Sequence, residues 1–101
     1  MIAVDLGGDG SPAGFALEGV RPNPARASGL HVAFALPSGA VARLELLDVS
    51  GRRVRAREVG SLGAGRHRVD LTEGRRVAPG LYWVRLTQGP NRRTARVAVI
   101  E

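Results

Sequence analysis

Past residue 14 the chain alternates apolar and polar positions in short runs, separated by clusters of Gly, Pro, Asn and Ser. Period two is what a strand needs when one face meets a core and the other meets water. In 30–36, Leu30, Val32, Phe34 and Leu36 share one face, and His31, Ala33 and Ala35 the other. In 41–49, Ala42, Leu44 and Leu46 face inward while Arg43 and Glu45 face outward. The run at 54–59 follows Gly51 and carries Arg53, Arg55 and Arg57 on its outer face. In 66–71, His67, Val69 and Leu71 oppose Arg66, Arg68 and Asp70. Tyr82, Val84 and Leu86 of 81–87 point inward, and in 94–100 Ala95, Val97 and Val99 oppose Thr94, Arg96 and Ala98. A first short strand at 15–20 is stopped by Arg21-Pro22-Asn23-Pro24, since proline donates no ladder hydrogen bond. No segment shows a 3.6-residue apolar period, and the connections are too short for parallel crossovers. The pattern predicts an all-β fold of seven antiparallel strands in a sandwich, one domain over residues 15–101. Residues 1–14 read as an N-terminal segment whose stretch from Gly7 to Gly14, Gly-Gly-Asp-Gly-Ser-Pro-Ala-Gly, is a flexible linker.

Composition narrows this picture in three ways. With two Phe, one Tyr and one Trp, the core rests on Val, Leu and Ala. The absence of cysteine excludes a disulfide framework and thiolate metal ligation. The net charge is +6 and all 15 basic residues are arginine. That composition fits an anionic partner, because guanidinium pairs bidentately with phosphate and carboxylate. A GC-rich coding bias, which raises Arg, Ala, Gly and Val together, fits it better. No apolar run is long enough for a transmembrane helix. The N-terminus lacks the basic and apolar regions of a signal peptide. If the protein is exported, its signal is expected on a longer precursor that this chain ends.

The chain offers little catalytic chemistry. Its two histidines, His31 and His67, sit within strand runs, and Ser28, Ser38, Ser50 and Ser61 sit in turns beside Gly or nearby Pro. His67 and Asp70, three apart in a strand, point to opposite faces and do not share a ligand set. No enzyme activity, metal or cofactor is expected. Asp48 has no acidic neighbour nearer than Glu45; it suits the opening of an Asp-Val-Ser-Gly turn better than a calcium site. The arginine stripe Arg53, Arg55 and Arg57, joined by Arg66 and Arg68, is the candidate face for an anionic glycan. A solvated face that discourages edge pairing suits it better. Nucleic acid is disfavoured because no aromatics interleave these arginines. Trp83, pointing outward, is either a binding anchor or a cover for a sheet edge. The apolar Ile2-Ala3-Val4 is a candidate donor strand for self-association.

Several short pieces, in order, resemble one family. They are Arg21-Pro22-Asn23-Pro24-Ala25, Phe34-Ala35-Leu36-Pro37, Gly51-Arg52-Arg53-Val54, Ala64-Gly65-Arg66-His67, Val69-Asp70-Leu71 and Pro79-Gly80-Leu81-Tyr82-Trp83. Together they look like the C-terminal sorting domains of type IX secretion cargo and the related Ig-like domain of the flagellar hook-capping protein. Val69-Asp70-Leu71 stands where the hook-capping type usually carries Trp-Asp-Gly, which is closer to the sorting type. The resemblance implies a seven-stranded Ig-like sandwich at the end of a secreted or surface-attached bacterial protein. It implies recognition by outer-membrane secretion machinery or attachment to surface polysaccharide, without catalytic residues. Pro22, Asn23, Pro24, Gly51, Gly80 and Tyr82 match the family's motif positions. The alternative expectation is a structural subunit or spacer of an extracellular fibre or surface layer, assembled by strand exchange.

Overall fold

A computed structural model describes residues 13–101 of the protein. Ile2, Ala3 and Val4, and most of the expected linker, lie outside the described residues. The period-two runs become β1 (Ala16–Val20), β3 (His31–Leu36), β4 (Arg43–Asp48), β5 (Arg53–Glu58), β6 (Gly65–Asp70), β7 (Gly80–Gln88) and β8 (Asn91–Ile100). An additional strand, β2 (Ala25–Arg26), follows the two prolines, and Gly60–Leu62 forms one 3-10 turn. One sheet has the order β1-β3-β6, and the other β2-β8-β7-β4-β5. The result is an all-β sandwich.

The strand count and direction correct the expectation of seven antiparallel strands. Among the described residues there are eight strands, plus an isolated bridge between Arg26 and Gly29. β2 runs parallel to β8, with Ala25 opposite Val99 and Arg26 opposite Ile100. Two residues are too few for alternation to reveal, so β2 left no periodic signal. Pro22 and Pro24 do end β1, but the chain then crosses from the edge of one sheet to the edge of the other.

Register makes the core. Directly opposed residues project to the same side of a sheet. Val32 faces Val69 and Phe34 faces His67 across β3 and β6. Leu44 faces Leu86 and Leu46 faces Val84 across β4 and β7. Phe34, Leu30, Leu36, Leu44, Leu46, Leu71 and Leu86 are the largest fully buried side chains. Each such burial contributes about 1.5–3 kcal/mol, so this aliphatic layer dominates the stability.

Candidate functional site

The family-motif residues occupy joints of the sandwich. Asn23 is exposed, yet its side-chain amide works as an extra rung on the free edge of β8. Its Nδ2 donates to the Arg96 carbonyl at 3.3 Å, and its Oδ1 accepts the Ala98 N–H at 3.1 Å. Pro22 and Pro24 flank it, and β2 continues the pairing immediately afterwards. Gly51 has φ +88°, a conformation that side chains disfavour, and closes the turn from β4 to β5. The turn is completed by Asp48. Its carboxylate accepts the Ser50 N–H (3.0 Å), the Ser50 hydroxyl (2.7 Å), the Arg52 N–H (3.0 Å) and Arg52 Nε (3.1 Å). Gly80 opens β7. Two residues on, the buried Tyr82 donates its hydroxyl to the Ala78 carbonyl at 2.5 Å.

The arginine stripe does not form one face, which corrects the expected arrangement. β5 carries a bulge: Leu46 opposes Arg55 and Leu47 opposes Arg53, so Val54 is supernumerary. The extra residue reverses the alternation. Arg53 lies on the outer face, whereas Arg55 and Arg57 lie opposite Leu46 and Leu44 on the core side of an edge strand. There Arg55 donates to the carbonyl of Val54 in its own strand (3.1 Å) and reaches the 72–79 connection through the Arg76 carbonyl (3.2 Å). Its Nε is buried without a partner. Arg57 lies 4.0 Å from Glu73 of the same connection. Both side chains therefore close the open flank between the sheets. Arg66 and Arg68 belong to the other sheet, opposite Ala35 and Ala33 on its outer face, and Arg66 pairs with Glu18 at 2.6 Å.

A different set of arginines shares a face. On the outside of the five-stranded sheet, cross-strand neighbours bring together Arg43 and Glu45 of β4, Arg85 and Thr87 of β7, and Arg92 and Thr94 of β8. Glu45 is only 6% exposed. Arg85 donates to its Oε1 through Nε and Nη2, both at 3.0 Å, and Arg53 Nη1 lies 3.3 Å from its Oε2. Burial alone would raise the Glu45 pKa; the hydrogen bonds and charges of Arg85 and Arg53 outweigh it and hold the carboxyl below its ordinary 4.5. Further along, Arg96 lies over the Trp83 ring at 5.5 Å, leaving Trp83 40% exposed. Trp83 therefore stands on the outer face, capped by a cation. Val41, Ala42, Arg43, Glu45, Arg85, Thr87, Gly89 and Arg92 surround an open depression of about 320 Å³.

The two histidines sit on different strands, His31 exposed at the start of β3 and His67 in β6. His67 stacks against Phe34 with ring centroids 5.6 Å apart, and its Nε2 bonds the Gly63 carbonyl at 2.7 Å. Asp70 uses Oδ1 for the N–H groups of Leu30 (3.1 Å) and Thr72 (2.9 Å) and for the Thr72 hydroxyl (2.8 Å). Its burial is outweighed by these bonds and the nearby His31, so its pKa lies below 3.8. Glu58 accepts from the N–H groups of Ala42, Gly60 and Ser61 at 3.3, 2.8 and 3.3 Å. The Ala42 bond is foremost in lowering its pKa below 4.5. For Asp48 the Ser50 hydroxyl is foremost, below 3.8. Among the described residues, no three His, Cys, Asp or Glu side chains gather as metal ligands, and no helix is long and apolar enough to cross a membrane.

The sequence pattern did not single out Glu45 or Glu58. Glu45 carried one available signal: an acid among arginines at outward positions of a sheet. Glu58 carried none, because its partners are backbone groups. No family model and no curated protein matches this chain.

Proposed function

We propose that this chain is a non-catalytic Ig-like module of a secreted bacterial protein, serving secretion sorting and attachment at the cell surface. The observation that carries the reading is the position of the motif residues. Asn23 clasps the β8 edge, Gly51 closes the β4–β5 turn, and Gly80 and Tyr82 enter β7. A motif whose members build a rigid scaffold suits a module that is recognised as a folded body. The strand order also supports an Ig-like assignment. In Ig lettering it reads A-B-E against A′-G-F-C-C′, taking β1 to β8 as A, A′, B, C, C′, E, F and G. The Tyr82 hydroxyl bonds a carbonyl four residues upstream, as in the tyrosine corner of Ig-type sandwiches. The sorting role rests on the resemblance of the ordered motifs. Appending the chain to a periplasmic reporter in a type IX-competent host tests it: the reporter is expected at the cell surface. A folded fusion that stays in the periplasm overturns sorting while leaving the Ig-like reading intact.

One observation favours a second reading, a spacer or fibre subunit assembled by strand exchange. β8 has ten residues, but β2 pairs only with Val99 and Ile100, and Asn23 serves only Arg96 and Ala98. Among the described residues no strand is paired to the start of this edge, and an exposed edge accepts a strand from a neighbour. Ile2-Ala3-Val4 is the proposed donor. Sedimentation of the chain with and without residues 1–14 tests this reading; an identical monomer in both cases removes it.

A further inference from the structure

The depression on the outer face holds charge that the neighbouring carboxylates do not neutralise. Arg43, Thr87 and Arg92 stand in one row, Thr87 being the direct neighbour of both arginines. All three line the depression. The side chains of Arg43 and Arg92 are exposed and have no hydrogen bond or ion pair among the described residues. The two carboxylates nearest by register are engaged elsewhere. Glu58, directly opposite Arg43, is folded back onto three backbone N–H groups. Glu45 is held by Arg53 and Arg85.

Adjacent strands lie about 4.8 Å apart, so the two arginine stems rise roughly 10 Å from each other with the Thr87 hydroxyl between them. Each guanidinium presents a planar fork matched to a tetrahedral oxyanion. In the next row Glu45 is shared by Arg85 and Arg53, and beyond it Arg96 lies over the Trp83 ring, so the Arg43–Thr87–Arg92 row is where two uncommitted forks share one depression. Two forks converging on one depression suit an isolated oxyanion, whereas a nucleic-acid backbone needs a series of phosphate contacts and several stacking platforms, and this face offers Trp83 alone, already covered by Arg96. The depression, at about 320 Å³, is larger than a bare ion requires. It falls at the lower end of small-ligand sites, about 300–1,000 Å³, and its polar lining suits a hydroxylated carrier.

We propose that the Arg43–Thr87–Arg92 row binds a phosphate or sulfate ester carried on a saccharide. The test is titration of the ¹⁵N-labelled full chain with glucose 6-phosphate, glucose, inorganic phosphate and an oligothymidylate. Glucose 6-phosphate is expected to shift the Thr87, Gly89 and Arg92 amides, to bind more tightly than inorganic phosphate, and to leave glucose without effect. R43Q and R92Q are each expected to weaken binding about tenfold, the loss of one charge-assisted contact. R43K, which keeps the charge but not the fork, is expected to fall between wild type and R43Q. The R66Q/R68Q pair removes two charges from the other sheet and is expected to change nothing. Equal weakening by R66Q/R68Q and R43Q/R92Q, with amide spectra showing both folded, would mean net charge alone attracts the ligand and overturns the site. Equal affinity for inorganic phosphate overturns the saccharide assignment, as does tighter binding of the oligothymidylate through the same amides. Absence of any shift at Thr87 and Gly89 also overturns the proposal.

Discussion

Asp48, Glu58 and Asp70 each commit a carboxylate to backbone N–H groups where the chain leaves a strand. Each anion gathers several donors that a tight connection would otherwise leave unpaired, and charge-assisted bonds of this kind are about twice as strong as neutral ones. Around Glu58 the crowding extends to the backbone. A Cβ placed on Gly60 would lie 2.1 Å from the Ala40 carbonyl oxygen, 2.7 Å from Glu58 Oε2 and 2.8 Å from the Ala42 nitrogen. Two of the three obstacles are backbone atoms, so relief requires the 40–42 segment to move. G60A is therefore expected to destabilise by about 2–3 kcal/mol, at the upper end of overpacking costs. At Gly39 the nearest atoms to an added Cβ stand at 3.6 and 3.7 Å, and G39A is expected to stay within about 0.5 kcal/mol of wild type. Urea denaturation of the pair decides: comparable midpoints for the two variants would refute the close-approach argument.

At the scale of elements, the alternation of apolar residues specified most strands and their inward faces, from Leu30 through Val99. It could not specify where alternation breaks. The bulge at Val54 has no sequence mark, since Arg53, Arg55 and Arg57 read as a regular stripe whether or not an extra residue is inserted. A one-residue change of register moves every following side chain to the other face. The anionic-partner face inferred from spacing was lost for that reason. The face that the fold assembles draws Arg43, Arg85 and Arg92 from three strands whose neighbours are set by topology. β2 and the Asn23 clasp were illegible for a related reason: their pairing is with a strand more than 70 residues away. Their contribution is measurable. N23A removes the side-chain acceptor of the Ala98 N–H and the donor to the Arg96 carbonyl. Two exposed bonds give a modest global loss, about 1–2 kcal/mol. The sharper signature is local, with the Ala98 amide exchanging faster while the Val84 amide in central β7 follows global stability. Unchanged protection at Ala98 would show that the clasp does not hold this edge.

For the whole molecule, 15 arginines face nine carboxylates, and four of these anions sit where they bind strands together. Glu45 joins β4 to β5 and β7, Asp70 joins the end of β6 to the start of β3, and Asp48 and Glu58 set the two ends of β5. All four have pKa values below their ordinary ones, 4.5 for Glu and 3.8 for Asp. A lowered folded-state pKa means that the unfolded chain takes up protons first as pH falls. Their contribution is therefore complete above the ordinary values and is lost as pH drops through them toward the folded-state values. The thermal midpoint is expected to be independent of these groups from pH 7 to about 5.5 and to decline below roughly pH 4.5. A second cause acts in the same direction, because protonating carboxylates leaves the arginines to repel one another. Salt separates the two. At about 0.5 M NaCl the screening length falls below roughly 5 Å, which suppresses repulsion between surface arginines but leaves direct hydrogen bonds such as Thr72 N–H to Asp70 at 2.9 Å. If the bonded carboxylates dominate, most of the decline between pH 6 and pH 3 persists in high salt, and D70N flattens it. A decline that salt abolishes, with D70N titrating like wild type, would assign acid sensitivity to net charge instead. It would also leave the carboxylates as local turn-formers without a share in the pH dependence of global stability.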